Sequence, residues 1–194
     1  MGIMPASRKI VLASKSPRRA QLLTMAGIDF TVRASDAEEI PEPGEAAIDY
    51  VRRLARAKAS AVEMKSGEMI LGADTVVVLS DSSARDILEK PTDAAEAQSM
   101  LRKLSGRTHE VITGVCLRSE ASITVGAETT RVRFVTMTDE EIAEYANSGE
   151  PMDKAGAYAI QGLASKFIDR IEGCYFNVVG LPISLVYRML AERS

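Results

Sequence analysis

Apolar runs and amphipathic stretches alternate along the chain, and their spacing predicts its elements. Short runs of apolar, mostly β-branched residues predict strands, whereas apolar residues spaced three and four apart predict helices with one buried face. The predicted strands lie at residues 9–13, 69–79, 87–88, 109–118, 123–136, 158–160 and 166–171. The predicted helices lie at residues 17–26, 45–65, 93–104, 139–147 and 182–192. Because strands and helices alternate early and a hairpin occupies the middle, we predict a mixed-sheet α/β fold.

Polar residues mark where the predicted helices begin. Ser16 precedes Pro17, and Thr92 precedes the third helix, so both hydroxyls are predicted to cap a helix. Thr138 and Glu141 have the spacing of a capping box. The residues expected to face inward in the first helix are Leu22, Leu23 and Ala26.

Composition narrows the class of protein. The 194 residues are 46% hydrophobic, so we expect one domain at residues 8–194, preceded by an N-terminal extension at residues 1–7. A net charge of −3 argues against a dedicated nucleic-acid or membrane surface. Two cysteines fit a reducing compartment, and the absence of a signal or membrane-spanning run predicts a cytoplasmic protein. The polar stretch at residues 34–44 is the expected mobile loop.

Two arginines stand where the helix dipole disfavours positive charge. Arg18 and Arg19 fall in the opening turn of the first helix, and Lys15 extends this basic patch. No acidic residue precedes Asp29, so no nearby carboxylate in the sequence balances these charges. A phosphate docked on the helix N-terminus would resolve the conflict. Alternatively, the arginines point to solvent or pair with distant carboxylates.

Asp74 and Lys58 interrupt apolar patterns. Asp74 lies within a β-branched strand, where a buried carboxylate needs a metal ion, a lysine or a strand end to compensate its charge. A simple salt bridge would also suffice. Gly72 would allow a bulge or the close approach of a ligand. Lys58 lies on the apolar stripe of its helix, so its amine is near a cleft or reaches water along its stem.

Further chemistry is concentrated after residue 89. Lys90 precedes Pro91 at a strand end, and residues 150–162 combine glycines with charged and amide side chains. This segment suits either a binding loop or a turn-rich connection with solvated charges. His109 is the only histidine, which disfavours triads and histidine-ligated metal sites. Carboxylates with several cations are suited to metal-assisted phosphoryl chemistry.

Several segments, taken in order, carry a resemblance to a known family. They are L-A-S-K-S-P-R-R at residues 12–19, R-L-A-R-A-K at 53–58, G-A-D-T at 72–75, E-K-P at 89–91, L-S-G-R-T-H at 104–109, D-K-A-G-A-Y-A-I-Q-G at 153–162 and N-V-V-G-L-P at 177–182. Together they resemble the Maf (septum formation inhibitor) family of nucleotide pyrophosphatases over nearly the whole chain.

The resemblance implies an elongated, two-lobed fold related to the inosine triphosphatase group, with the substrate in a central cleft. It implies hydrolysis of a nucleoside triphosphate with Mg²⁺ or Mn²⁺, and it makes a homodimer plausible. Asp74 would accept a proton from the attacking water, and Glu39, with Glu38 as the alternative, would act on metal or water. The implied metal ligands are Glu39 and Asp74. The implied phosphate and substrate contacts are Arg19, Lys58, Lys90, Ser14, Ser16 and Asp153.

Three positions favour a pyrimidine substrate within this resemblance. Arg18, Thr75 and Gln161 resemble the branch that hydrolyses dTTP and UTP, rather than the branch that acts on 7-methyl-GTP. Nucleotide-pool cleansing and cell-division arrest are the associated roles. The alternative function is a non-catalytic nucleotide-binding regulator of septum formation. A nucleic-acid-binding protein would need a basic face and exposed aromatics, which an aromatic content of 5% does not favour.

Overall fold

The computed structural model of the chain describes residues 9–79 and 87–192. The predicted N-terminal extension at residues 1–7 lies outside these ranges. The strands are β1 (Lys9–Leu12), β2 (Phe30–Val32), β3 (Glu68–Leu79), β4 (Ile87–Leu88), β5 (Thr108–Arg118), β6 (Ile123–Phe134) and β7 (Ile168–Glu172). The α-helices are α1 (Pro17–Met25), α2 (Ala47–Ser60), α3 (Ala94–Leu104), α4 (Asp139–Asn147), α5 (Tyr175–Val179) and α6 (Ile183–Ala191).

The strands form one seven-stranded sheet that mixes parallel and antiparallel neighbours. Its order is β2-β1-β3-β5-β6-β7, with β4 paired to β3. β1 runs parallel to both β2 and β3, whereas β4 is antiparallel to β3 and β7 is antiparallel to β6. The predicted mixed-sheet α/β fold is therefore confirmed.

Contacts divide the chain into two compact units. Of the described residues, the first unit consists of residues 9–74, Thr113–Glu128 and 180–192, and the second of residues 75–79, 87–112 and Thr129–Val179. The long strands β3, β5 and β6 each contribute residues to both units. The single domain at residues 8–194 stays a prediction.

Glycines allow α2 to lie directly on the sheet of the first unit. A Cβ atom at Gly72 of β3 would lie 2.2 Å from the Ala55 carbonyl oxygen, and one at Gly114 of β5 would lie 2.2 Å from the Val51 carbonyl oxygen. Both clashes are with helix backbone. Gly72 thus admits a helix rather than the bulge or ligand suggested by the sequence, and it fixes the height of α2 above β3.

Aromatic rings fill the core of the second unit. His109, Phe134 and Tyr158 pack edge to face, with ring centroids 4.9 to 5.3 Å apart. His109 Nε2 lies 2.9 Å from the Tyr158 hydroxyl, whereas its Nδ1 has no hydrogen-bond partner among the described residues. Burial lowers the pKa of His109 to about 4, so the ring is neutral at physiological pH.

Two predictions about the ends of α1 and α3 are wrong. Ala26 is exposed, because α1 ends at Met25 and the buried stripe consists of Arg19, Leu22 and Leu23. Asp93, not Thr92, caps α3, since its carboxylate accepts the Glu96 backbone N–H at 2.8 Å.

The second helix was also predicted too long. α2 ends at Ser60 rather than at residue 65, because the Arg118 Nη1 atom binds the carbonyl oxygens around its C-terminal end. It donates to the oxygens of Ala59 at 2.7 Å, Ser60 at 3.2 Å and Val62 at 3.1 Å. The Arg118 guanidinium thus donates hydrogen bonds to carbonyl oxygens that have no partner within the helix, so the helix can end there.

The C-terminal third departs most from its predicted elements. Residues 158–160 form no strand, because Gly156 has a φ of 69° and the Gly162 N–H bonds the Ala159 carbonyl in a tight turn. A 3₁₀ helix at Leu163–Phe167 delays β7 to Ile168. The capping box of Thr138 and Glu141 is confirmed. Two short elements, β2 and α5, were not predicted.

Candidate active site

Strand alternation places Asp74 under α2. Residues two apart on a strand share a face, so Asp74 lies on the same side of β3 as Gly72, where the helix is closest. Lys58 lies on this face of α2, one turn after the buried Leu54. Its Nζ donates to Asp74 Oδ1 at 2.5 Å. A lysine therefore compensates the buried carboxylate, as the sequence allowed.

Lys58 also contacts a second carboxylate. Its Nζ lies 2.7 Å from Glu39 Oε1, and Glu39 belongs to the loop at residues 33–46, between β2 and α2. The Lys58 and Asp74 side chains are only 10% and 8% exposed, whereas Glu39 is 43% exposed. The amine is thus buried between two acids rather than extended into water.

Arg19 is the second buried cation of the first unit. Its Nε donates to the Gly180 carbonyl oxygen at 2.8 Å, and Nη1 donates to Ser14 Oγ at 3.2 Å. Burial lowers the pKa of Arg19 below its ordinary value. The negative charges of Asp74 and Glu39 act in the opposite direction and offset part of this lowering. Two cations and two carboxylates therefore form one interacting group.

The turn between β1 and α1 carries the remaining polar groups. Leu12 pairs with Leu71, so the turn begins at the carboxyl end of β1 beside the part of β3 that precedes Asp74. Ser16 occupies the N-cap position but its side chain makes no capping hydrogen bond, contrary to prediction. Instead Ser14 Oγ accepts the Ser16 backbone N–H at 3.1 Å.

The basic patch predicted at this turn is divided in the structure. Lys15 is exposed and pairs with Asp36 at 2.7 Å, Arg18 is half-buried, and Arg19 is buried. α1 has no acidic residue in its first turn. A helix N-terminus bordered by arginines in this way is suited to an anionic ligand.

The carboxylate pair fits a hard divalent cation only with help from a substrate. Among the described residues, no group of three or more His, Cys, Asp or Glu side chains could hold a metal ion. Mg²⁺ typically takes one or two carboxylates together with phosphate and water oxygens. Glu39 and Asp74 therefore suit a metal that arrives with a phosphate.

The second unit holds four of the predicted site residues. Thr75 follows Asp74 on β3 and is half-buried, whereas Lys90, Asp153 and Gln161 are exposed. Asp153 pairs with Lys154, whose Nζ also donates to the Glu150 carbonyl oxygen at 2.9 Å.

Hydrogen bonds connect the segments that carry these residues. The Gly156 N–H donates to the Glu89 carbonyl oxygen at 3.0 Å, next to Lys90. The Glu150 carboxylate accepts the Tyr145 hydroxyl at 2.8 Å and the Leu163 N–H at 3.1 Å. Tyr145 in turn accepts the Ala159 N–H at 3.2 Å, so the turn that bears Gln161 is fixed on both sides.

Sequence reasoning missed several groups that support the site. The Gly180 carbonyl accepts a hydrogen bond from Arg19. Gly180 lies in the N-V-V-G-L-P segment at residues 177–182, for which no residue-level role was predicted. Tyr50 and Arg53 bond to the loop that carries Glu39. The detectable signal was a tyrosine on the apolar stripe of α2, because a buried tyrosine hydroxyl usually finds a partner.

The fold matches that of a solved α/β protein. The Ham1 protein from Staphylococcus aureus aligns with a TM-score of 0.54 at 14% identity, covering 96% of this chain and 100% of that one. At this identity the likeness concerns the fold alone. The class is thus the mixed-sheet α/β fold of Ham1.

The chain belongs to the Maf family. The family model described as Maf-like protein matches residues 9–193. A dTTP/UTP pyrophosphatase of Koribacter versatilis is 52% identical, with 93% of this chain and 92% of that protein covered. The protein of the same name from Hahella chejuensis is 46% identical, with 97% and 94% covered. The one from Myxococcus xanthus is 50% identical, with 95% and 92% covered.

In the part of the chain that the structure describes, each helix is too short or too polar to span a bilayer.

Proposed function

We propose that this chain hydrolyses dTTP and UTP to the nucleoside monophosphate and pyrophosphate. The relatives described above carry that activity in their names and align over nearly their full length. Their names support the reaction class, a nucleoside triphosphate pyrophosphatase, most directly. Arg18, Thr75 and Gln161 support the choice of a pyrimidine, through the resemblance of these positions to the dTTP and UTP branch.

The observation that carries the proposal is the buried Lys58 amine between Asp74 and Glu39. The Asp74 carboxylate held in this way has a fixed orientation. Its second oxygen, Oδ2, is the atom that we assign to accept a proton from water. Lys58 compensates the Asp74 charge, and we assign its amine to contact a phosphate oxygen. Arg19, held by Ser14 and Gly180, adds a rigid guanidinium for the phosphates.

Glu39 and Asp74 are the residues that we assign to hold Mg²⁺ or Mn²⁺ together with substrate oxygens. When bound, the cation would neutralise charge on the phosphates and polarise the attacked phosphorus. Glu39 rather than Glu38 is assigned, because the Glu39 carboxylate contacts Lys58. Lys90 and Asp153 are assigned to the substrate from the family motifs. Ser14 and Ser16 complete the phosphate contacts at the start of α1.

Asp74→Asn tests the proton-acceptor role directly. Pyrophosphate release from dTTP should fall by about 100- to 10,000-fold, the usual contribution of a general base. The matched control is Asp29→Asn, because Asp29 is an exposed aspartate near the start of β2. Turnover at the wild-type rate in Asp74→Asn would refute the assignment.

The alternative function, a nucleotide-binding regulator without turnover, predicts a different outcome for the wild-type protein. It would bind dTTP without releasing pyrophosphate under any of the candidate metals. A panel of nucleotides with Mg²⁺ and with Mn²⁺ therefore separates the two functions. A cytoplasmic location, a homodimer and roles in pool cleansing or cell-division arrest stay predictions from the sequence and its resemblance.

A further inference from the structure

Side chains of α2 hold the backbone of the loop at residues 33–46, which carries Glu39. The Tyr50 hydroxyl donates to the Glu39 carbonyl oxygen at 3.2 Å. Arg53 Nη2 donates to the next carbonyl oxygen, that of Ile40, at 3.0 Å. Two consecutive peptide groups of a loop without regular structure are therefore fixed from the helix that also bears Lys58.

Glu45 locks the Arg53 guanidinium in the orientation that this contact needs. Arg53 Nε and Nη2 donate to the two Glu45 carboxylate oxygens at 2.7 and 2.6 Å. The same carboxylate accepts the Glu42 backbone N–H at 3.2 Å. The guanidinium also lies 5.5 Å from the centre of the Tyr50 ring. A planar, two-pronged donor suits this arrangement, and a lysine could not reproduce it.

We infer that Arg53, oriented by Glu45 and supported by Tyr50, is a positioning residue that sets the Glu39 carboxylate on Lys58. Glu39 is 43% exposed, so burial alone does not fix its position, and the backbone bonds from α2 supply the constraint. Because Tyr50, Arg53 and Lys58 belong to one rigid helix, the loop and the amine are held in the same frame. The catalytic consequence of this inference rests on the proposed function of Glu39.

The first test needs no substrate. Amide hydrogen exchange in residues 33–46 should become about tenfold faster in Arg53→Lys, because the loop loses bonds to a charged donor. The matched control is Arg52→Lys. Arg52 is the neighbouring arginine on α2, and it makes a longer surface pair with Asp49 at 3.8 Å. Unchanged loop exchange in Arg53→Lys would overturn the inference.

The second test asks whether Arg53 acts through Glu39. Arg53→Lys should lower kcat for dTTP about tenfold, whereas Arg52→Lys should leave it unchanged. Combined with Glu39→Gln, Arg53→Lys should cause no further loss, because the carboxylate it positions is already gone. Multiplicative losses in the double variant would show that Arg53 acts elsewhere and would overturn the inference.

Other outcomes separate this inference from the proposed function. If the wild-type protein releases no pyrophosphate, the proposed function fails, and the exchange test alone decides the structural part. If Arg53→Lys does not fold, Tyr50→Phe replaces it, since this variant removes the hydroxyl that donates to the Glu39 carbonyl oxygen. Faster loop exchange and a lower kcat in Tyr50→Phe would support the inference. Wild-type behaviour in both measurements would overturn it.

Discussion

Lys58 is the residue on whose positive charge the charge balance of the candidate site depends. Replacing it with methionine leaves Asp74 buried without its cation, which should lower the free energy of unfolding by about 3–5 kcal/mol. Urea denaturation measures this loss. The exposed Lys65→Met serves as the control and should change stability by less than about 0.5 kcal/mol.

A second substitution distinguishes a charge effect from a packing effect. Adding Asp74→Leu to Lys58→Met removes the stranded carboxylate, so much of the lost stability should return. If the double variant were as unstable as the sum of the two single variants, the pair would not be coupled, and the interpretation of Asp74 would be wrong.

His109 should make stability depend on pH. Its folded pKa of about 4 lies below its ordinary value of 6.5, so the unfolded chain binds the proton more readily. Stability is therefore complete above pH 6.5 and declines as the pH falls from 6.5 towards 4, by roughly 2 kcal/mol between pH 7 and pH 5. Urea denaturation at the two pH values measures this decline.

His109→Gln isolates that contribution, because glutamine retains an amide donor for Tyr158 and does not titrate. The variant should lose roughly 2 kcal/mol less than the wild type between the two pH values. Equal declines in both proteins would contradict a buried neutral histidine.

At the scale of elements, the contact between α2 and β3 positions Lys58 over Asp74. Gly72→Ala would force a Cβ atom to within 2.2 Å of the Ala55 carbonyl oxygen, so the helix must shift. We expect a loss of about 3 kcal/mol in unfolding free energy, at the upper end of overpacking costs. We also expect a large fall in kcat, since Lys58 moves with the helix.

Gly126→Ala is the matched control for that substitution. Gly126 is also a strand glycine, but its added Cβ would lie 3.4 Å from the flexible end of Leu185, an ordinary contact. Activity and stability should therefore remain close to those of the wild type. Wild-type activity in Gly72→Ala would show that the height of α2 does not set the site geometry.

Elements with strong local signals were the ones that the sequence predicted well. The capping box at Thr138 and Glu141 and the apolar run of β3 each depend on residues close together in the sequence. The end of α2 was not predictable, because Arg118, which donates hydrogen bonds to the carbonyl oxygens there, lies far along the chain. The missed β2 has only three residues and is held by pairing with β1, which leaves little trace in local composition.

At the scale of the molecule, the sequence identified the charged residues of the site but not their partners. Asp74, Lys58 and Arg19 each broke a local rule and could be selected for that reason. Their pairing depends on distant contacts, and Arg19 bonds a carbonyl 161 residues away at Gly180. The predicted strand at residues 158–160 was wrong because Gly156 has a φ of 69° and the Gly162 N–H bonds the Ala159 carbonyl, which turns the chain there. Individual roles for Gln161 and Thr75 came only from the resemblance.

Substrate binding should stabilise the whole chain by mass action. In Asp74→Asn, which should bind without rapid turnover, dTTP at about 100 times its Kd should raise the unfolding free energy by about 2.7 kcal/mol. Thermal unfolding with and without nucleotide and metal measures this gain. Under the same conditions UTP should act similarly and GTP weakly, because the proposed pyrimidine selectivity depends on hydrogen bonds to the base. Equal stabilisation by GTP would contradict pyrimidine selection while leaving phosphate binding intact, whereas no stabilisation by any nucleotide would contradict the proposed site itself.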